Sequence, residues 1–302
     1  MTGLSDADLY ERGTNTLVAS WEAYACGSRR AAVVRSEGLA AAVFPDGPER
    51  AILNNALLAR DLTAAERASA VAEMEAAYAS AGVTRFAAWV HETDQAMRED
   101  LGERGYTLLE STRAMGMALS DIRVPRPHIE LAQPVWSEFL RIVGVAPGFL
   151  SQADPSAFQV LIASLDGAGV AAGMSFDRGD DCGIYNVATV QQARRRGLGT
   201  ALTALLAHDA IGRGCRTASL QSTAMAEGIY AAVGFRDLGR ILEYAPPEAR
   251  ERAGHSSSAA RRKSPSSSSP IPAASAGRSR MVPLLATNSG WREVNPASWC
   301  QP

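Results

Sequence analysis

Two glycines and three arginines stand together at one point of the sequence. Arg194, Arg195 and Arg196 precede Gly197, and Gly199 opens an apolar helical pattern. Glycine lets a ligand approach the backbone, while the unpaired amides and the dipole of a helix's first turn attract anions. Arginine adds charge suited to phosphate oxygens. The pattern predicts a pyrophosphate site, with a tight turn beside a solvated arginine run as the alternative; the spacing fits neither a Rossmann fingerprint nor a P-loop.

The elements around this junction follow one order, which the apolar periodicity and the turn residues indicate. Strands are predicted over 159–165, 170–176, 184–190, 217–222 and up to 244, and helices over 197–212 and 225–233. An earlier part of the chain repeats this order. Its strands are predicted over 31–35, 39–44, 51–58, 85–91 and up to 119, and its helices over 64–81 and 94–104. The repeat predicts an internal duplication.

The two copies differ where the third strand meets the long helix. The earlier junction, 59–67, has no glycine and carries Asp61 and Glu66 where a polyanion would sit, so this copy is not expected to bind a nucleotide. The predicted fold class is α/β (α+β), with two tandem domains, each a mixed, mostly antiparallel sheet flanked by helices. The expected domains are 1–120 and 129–245, joined by a proline-containing linker over 121–128.

Composition separates the end of the chain from the rest. Residues 246–302 are rich in Ser, Pro and Arg and show no apolar period, which predicts a disordered tail. Eight basic and three acidic residues give this tail a charge of +5, and residues 1–245 carry −7. No apolar stretch approaches the ~18–20 residues of a membrane helix, and the N-terminus lacks a signal pattern, so we expect a cytoplasmic protein that does not bind membranes. The spacing of Cys and His suggests no metal site.

The chain resembles the GNAT superfamily of acyl-CoA N-acyltransferases. The family's loop pattern Gln/Arg-x-x-Gly-x-Gly/Ala matches Arg194, Gly197 and Gly199, and its Tyr-x-x-x-Gly-Phe ending matches Tyr230 to Phe235. The resemblance covers 129–245 well and the earlier copy only in element order. The whole looks like the tandem arrangement of proteins similar to mycothiol synthase, with a degenerate N-terminal copy.

The resemblance implies acetyl-CoA as the cofactor and a gap between strands 184–190 and 217–222 that holds its pantetheine arm. The backbone of Ala188 and Val190 would pair with this arm, and the amides of 195–200 would bind the pyrophosphate. Tyr230 would protonate the leaving sulfur and is the expected catalytic residue. The expected cofactor-binding residues are Ala188, Thr189, Val190, Arg194, Arg195, Arg196, Gly197, Leu198, Gly199, Thr200 and Ser222.

The acceptor is expected to be a primary amine of a small molecule or peptide, attracted by the acidic folded part. Tyr185, Asn186 and Glu227 are the expected substrate contacts. The base that neutralises the amine stays open among several side chains: Glu227, Asp177, Asp181, Glu243, Glu22, Glu92 and His91. A catalytically silent acyl-CoA sensor or interaction protein is the alternative function. Nucleic-acid binding is not expected, and the chain is expected to be a monomer or homodimer.

Overall fold

The computed structural model describes residues 4–26, 30–46, 53–145 and 155–247. Within these ranges the helices are α1 (Asp6–Ala25), α2 (Ala64–Ser80), α3 (Gln95–Glu103), α4 (Trp136–Val143), α5 (Leu198–Gly212) and α6 (Glu227–Val233). The strands are β1 (Ala32–Ser36), β2 (Leu39–Val43), β3 (Asn55–Leu58), β4 (Ala87–His91), β5 (Thr107–Ala118), β6 (Leu131–Ala132), β7 (Gln159–Leu165), β8 (Ala168–Arg178), β9 (Asp181–Thr189), β10 (Thr217–Ser222) and β11 (Arg236–Ala245).

All eleven of these strands form one sheet, in the order β1-β2-β3-β4-β11-β5-β10-β9-β8-β7-β6. The pairs β3–β4 and β9–β10 are parallel, and the other pairs are antiparallel. Helices flank this mostly antiparallel sheet, which confirms the predicted α/β (α+β) class. The single sheet differs from the expectation of a separate sheet in each of two domains. The predicted tail lies outside the described residues from 248 onward, as do the first two residues of the strand predicted over 51–58.

The last strands of the two predicted copies are exchanged at the centre of the sheet. The strand β5, from the earlier part of the chain, pairs with β10, and β11 pairs with β4 and β5. Backbone hydrogen bonds therefore tie the two parts together, and the described residues up to 247 fall in one compact unit. The sequence pattern gave no sign of this exchange, because a strand's own residues do not specify its partner. The division into domains 1–120 and 129–245 stays a prediction.

Two helices to which the sequence analysis assigns no element shape the site. Ser5 and Asp8 form a capping box that starts α1, and Trp21 and Tyr24 on this helix are fully buried. The helix contacts β9, β10, β5 and β8, so an element of the earlier part covers strands of the later part. Its apolar positions alternate with Thr, Ser and Gly, which weakens the helical pattern. The shorter helix, α4, packs on the same side, against β8 and β9.

The hydrophobic core lies on both faces of the sheet. Side chains of α1 and α4 pack with Tyr185 and Ala188 of β9 on one face. On the other face, α5 and α6 pack with Ile184 and Val187 of the same strand. The residues of β9 thus alternate between two cores, and this strand is buried along most of its length.

Candidate active site

The parallel strands β9 and β10 separate partway along their length. Their pairing runs from Asp181↔Thr217 to Gly183↔Ser219, while β9 continues to Thr189 and β10 to Ser222. Beyond Gly183 the two strands enclose a gap. Backbone groups on the facing edge of β9 are left without a strand partner, and an extended ligand could pair with them.

The alternation of β9 shows which backbone groups face this gap. The Val190 amide donates a hydrogen bond to Val170 O at 2.9 Å, on the side of β8. Strand geometry then directs the groups of Thr189 toward the gap, where Thr189 O accepts a bond from Arg194 Nε at 3.2 Å. The expectation that the Val190 amide pairs with a ligand is therefore wrong, because β8 already holds it, and the same alternation turns the backbone groups of Ala188 toward β8.

The N-terminus of α5 at the wide end of this gap has no side-chain cap. Its N-cap is Gly197, at φ 75°, and no side chain accepts from the first turn. Among the described residues, no hydrogen bond is assigned to the amides of 195–200. Arg195, two residues before the N-cap, also has a positive φ of 64°. Unpaired amides, the helix dipole and a nearby guanidinium together make an anion site.

A cavity of about 470 Å³ lies between β9 and the helices α5 and α6. It brings together nine of the residues expected to bind the cofactor or to act on it: Ala188, Thr189, Arg194, Arg195, Gly197, Leu198, Gly199, Thr200 and Tyr230. A side chain at Gly199 would project into this space, because its Cβ would lie 3.9 Å from Ile229 Cδ1 and 4.0 Å from Val187 Cγ1. The structure does not place Val190, Arg196 or Ser222 on the cavity.

The cavity also has an apolar wall that the sequence analysis missed. Its further lining residues are Val187, Ala193, Met225, Ala226 and Ile229. Met225, in the turn before α6, is 68% exposed, and Ile229, on α6, is 37% exposed. The sequence offered only two apolar residues beside Tyr230 as a signal, and their exposure could not be predicted from it.

Tyr230 is the one phenol on this cavity. It lies on α6, is 3% exposed, and its ring meets the edge of Phe235 at a centroid distance of 6.1 Å. The backbone of Tyr230 accepts bonds from the amides of Gly234 and Phe235, which close the helix. The Tyr-x-x-x-Gly-Phe pattern thus serves to end α6 and to hold the tyrosine ring in place.

The predicted substrate contacts lie away from the cavity. Tyr185 and Asn186 are buried on the α1 side, where a β-bulge gives Asn186 a φ of 56° and its Nδ2 donates to Tyr24 Oη at 3.2 Å. Glu227 forms ion pairs with Arg113 at 2.9 Å and Arg240 at 3.4 Å. Their contact with a substrate stays a prediction.

Ser222, predicted to touch the cofactor, is also committed elsewhere. It is fully buried at the end of β10, and its hydroxyl donates to Thr223 O at 2.9 Å. Arg196 is exposed. Within the ranges described, no cluster of His, Cys, Asp or Glu could hold a metal ion, and no helix has the length and apolarity to span a membrane.

Comparisons with known proteins agree with this architecture. Residues 128–235 match the model of the Acetyltransferase (GNAT) family. A GCN5-related N-acetyltransferase from Kribbella flavida superposes with a TM-score of 0.62 at 20% identity, covering 82% of this chain and 97% of that chain. A GCN5-related N-acetyltransferase from Sphaerobacter thermophilus gives 0.50 at 15% identity, covering 80% and 93%.

A functionally unknown conserved protein from Staphylococcus epidermidis also superposes, with a TM-score of 0.50 at 11% identity, covering 70% of this chain and 91% of that chain. No curated protein matches the chain. The described residues have the fold of the GNAT acetyltransferases, and the match to that family's model is confined to residues 128–235. A mycothiol synthase-like arrangement stays a prediction.

Proposed function

We propose that this chain is an N-acetyltransferase that moves the acetyl group of acetyl-CoA directly to a primary amine of a small molecule or peptide. The observation that carries the proposal is the uncapped N-terminus of α5, which lies beside Arg195 on a cavity that continues along the free edge of β9. We further expect it to act in the cytoplasm, as a monomer or homodimer.

The residues present fit acetyl-CoA. The diphosphate would bind the amides of 195–200 and the guanidinium groups of Arg194 and Arg195, where neither a capping side chain nor a carboxylate lines the cavity. The pantetheine arm would follow the open edge of β9, with Met225 and Ile229 as an apolar wall. Any side chain with a Cβ at position 199 would occupy the space proposed for the cofactor.

Acetyl-CoA supplies the activated acyl group as a thioester, and the chain supplies position and proton transfer. Binding at both ends of the gap would fix the thioester near the narrow end, where a neutral amine could reach it. The Tyr230 hydroxyl would donate a proton to the sulfur as the C–S bond breaks. The apolar cavity wall would limit water there, so that the amine attacks rather than water.

The earlier part of the chain is proposed to be a degenerate copy of the same fold. The element order of β1 to β5 with α2 and α3 matches that of β7 to β11 with α5 and α6. A solved neighbour covers 82% of this chain over 97% of its own length, which supports an architecture of this whole extent. Its contribution would be structural, since α1 covers the strands of the site from that side.

The sensor alternative has one observation in its favour. Of the carboxylates considered as bases, Asp177 is paired with Arg213 and Glu227 with Arg113 and Arg240. Glu22 is paired with Arg35. Groups held in ion pairs are poor bases, so a chain with only such carboxylates would bind acyl-CoA without turnover.

Release of free thiol from acetyl-CoA across a panel of primary amines separates the two functions. Amine-dependent release supports the transferase; tight cofactor binding without thiol release in the presence of any amine supports the sensor.

Tyr230→Phe should lower kcat about 10- to 100-fold while the Kd for acetyl-CoA stays nearly constant, because only the proton donor is lost. Normal turnover by this variant would overturn the role given to the hydroxyl. Phe235→Leu, which alters the neighbouring ring, is its control.

A further inference from the structure

A buried carboxylate lies just beyond the narrow end of the gap. Asp181 begins β9 and is 3% exposed. Thr217 Oγ1 donates to its Oδ1 at 2.7 Å, and Ser219 Oγ donates to its Oδ2 at 2.8 Å. No ion pair involves Asp181 in the described part of the chain, so it differs from the paired carboxylates Asp177 and Glu227.

Ser219 connects this carboxylate to the narrow end of the gap. The pair Ser219↔Gly183 is the last one before β9 and β10 separate. Ser219 also lines a small cavity of about 20 Å³ on the α1 side, together with Gln221 and Trp89. A space of this size holds about one water molecule. The indole Nε1 of Trp89 is buried without a hydrogen-bond partner, which a water bound there would supply.

Asp181 reaches solvent on its other side. It lines a surface cavity of about 480 Å³ together with Asp180, Gly179 and residues of α1. Burial raises the pKa of Asp181, although hydrogen bonds from Thr217, Thr16 and Ser219 act in the opposite direction. The charged or titratable groups facing it are Asp8, Glu11 and Arg12 from α1, Arg178 at the end of β8, Asp180 in the β8–β9 turn, Tyr185 from β9 and Cys215 from the loop between α5 and β10. A buried carboxylate with a raised pKa accepts a proton more readily than an exposed one.

We propose that Asp181 accepts, through the Ser219 hydroxyl, the proton that the acceptor amine loses, and releases it to the surface cavity. This proposal rests on the proposed function. As the N–C bond forms and the C–S bond breaks, the amine N–H proton passes by way of the small cavity to Ser219 Oγ. The hydroxyl proton of Ser219 moves to Asp181 Oδ2, and Tyr230 protonates the sulfur. Asp181 then loses its proton to water, which restores the carboxylate, and the Tyr230 phenolate takes up a proton from water, which restores the phenol.

Three variants test this relay in the full chain: Asp181→Asn, Ser219→Ala and Thr217→Val. The first two should lower kcat about 100-fold with an unchanged Kd for acetyl-CoA, since general-base catalysis contributes 10²–10⁴-fold. Their double variant should be no slower than either single variant, because both break one path. Thr217→Val removes the other hydrogen bond to the same carboxylate without interrupting the path, so it should lower kcat less than Ser219→Ala does.

The pH dependence of kcat separates a proton-transfer role of Asp181 from a purely structural one, because a structural role would not change the shape of the pH profile. The wild type should lose rate as the pH falls through the pKa of Asp181, and Asp181→Asn should lack this decline. If the wild type turns over and Asp181→Asn has the same rate and pH profile, the relay is overturned while the proposed function stands. An equal loss in Thr217→Val and Ser219→Ala would overturn it too, as it would show a structural effect. Cofactor binding without thiol release by the wild type would instead refute the proposed function, and the relay with it.

A titration of the Asp181 carboxyl by NMR tests the relay without turnover. A midpoint above the ordinary range for aspartate supports it, and a midpoint at or below that range contradicts it. The same titration in Ser219→Ala should move the midpoint upward, since a hydrogen bond that favours the carboxylate is lost.

Discussion

The chain builds the same turn twice, two residues before the N-cap of a helix, and places opposite charges on it. Asp61 has a φ of 62° before α2, and Arg195 has a φ of 64° before α5. Both residues adopt the left-handed conformation that few side chains tolerate. The backbone of the two junctions is therefore alike at this point, while the electrostatic field at the helix start is reversed.

The first turns of α2 and α5 also differ in charge: the first carries a carboxylate and the second does not. Thr63 Oγ1 accepts from the Glu66 amide at 3.3 Å, and the Glu66 carboxylate accepts from the Thr63 amide at 2.6 Å. Hydrogen bonds from the side chain and the backbone of Thr63 to its carboxylate lower the pKa of Glu66. The helix α2 thus carries its own anion at its N-terminus, whereas α5 begins at Gly197 without a cap. We therefore expect an external anion to bind at the second of these sites and not at the first.

The strands that lead into the helices show a third difference. The strand β3 pairs with β4 up to Leu57↔Trp89 and ends at the next residue, Leu58. By contrast, β9 runs from its last pair with β10, at Gly183, to Thr189. Among the described residues, the earlier part of the chain therefore offers no long free edge between β3 and β4 for an extended ligand. In the described part of this chain, a parallel pair of strands leaves a gap only between β9 and β10, where β9 continues for several residues beyond its last hydrogen-bonded pair.

The largest expected effect comes from Gly199→Asp. The carboxylate would occupy the cavity and repel phosphate, so the affinity for acetyl-CoA should fall about 100-fold or more. The control is Gly102→Asp, on the exposed side of α3, where an added Cβ meets nothing within 4 Å. Calorimetry with acetyl-CoA measures both variants, and an equal loss in the two would mean that charge at Gly199 has no local role.

A smaller effect is expected from Arg195→Asp, which transfers the charge of the earlier junction to the later one. Aspartate tolerates the turn, as Asp61 shows, so the backbone should be preserved. We expect an affinity for acetyl-CoA about 10-fold weaker, with Arg195→Asn intermediate, because the neutral amide only removes the favourable charge. Equal affinities of these two variants would show that charge at this position is unimportant.

The smallest effect is expected in the earlier copy. Thr63→Ala removes the cap of α2 and should lower the free energy of unfolding by about 1 kcal/mol, with unchanged acetyl-CoA binding. Denaturant unfolding and calorimetry measure the two quantities, and Thr84→Ala, outside any helix, is the control. A change in cofactor affinity in Thr63→Ala would mean that the earlier junction takes part in binding.

The sequence predicted the parts of the site that follow one another along the chain. Gly197, Gly199 and the arginines stand in one loop, and Tyr230 lies in a recognisable helix ending, so their residue types and spacing sufficed. The burial of Tyr185 and Asn186 could not be predicted, because it depends on α1, which is distant in sequence. The exchange of β5 and β11 was missed for the same reason: either partner offers an equivalent edge of hydrogen bonds.

The Asp181–Ser219 contact shows how the missed topology bears on function. The two residues are joined because β9 and β10 pair only at their beginnings, and α1 then buries them. In the sequence, Asp181 was one of several candidate carboxylates of equal standing. The structure distinguishes it by burial and by the absence of an ion pair among the described residues.

The central claim, that only the later junction binds the diphosphate of coenzyme A, is tested most directly by calorimetric titration of the purified chain with coenzyme A. We predict one binding site per chain, which Gly199→Asp abolishes and Gly102→Asp leaves intact. Absence of binding in the wild type, a second site per chain, or undiminished binding in Gly199→Asp would contradict the claim.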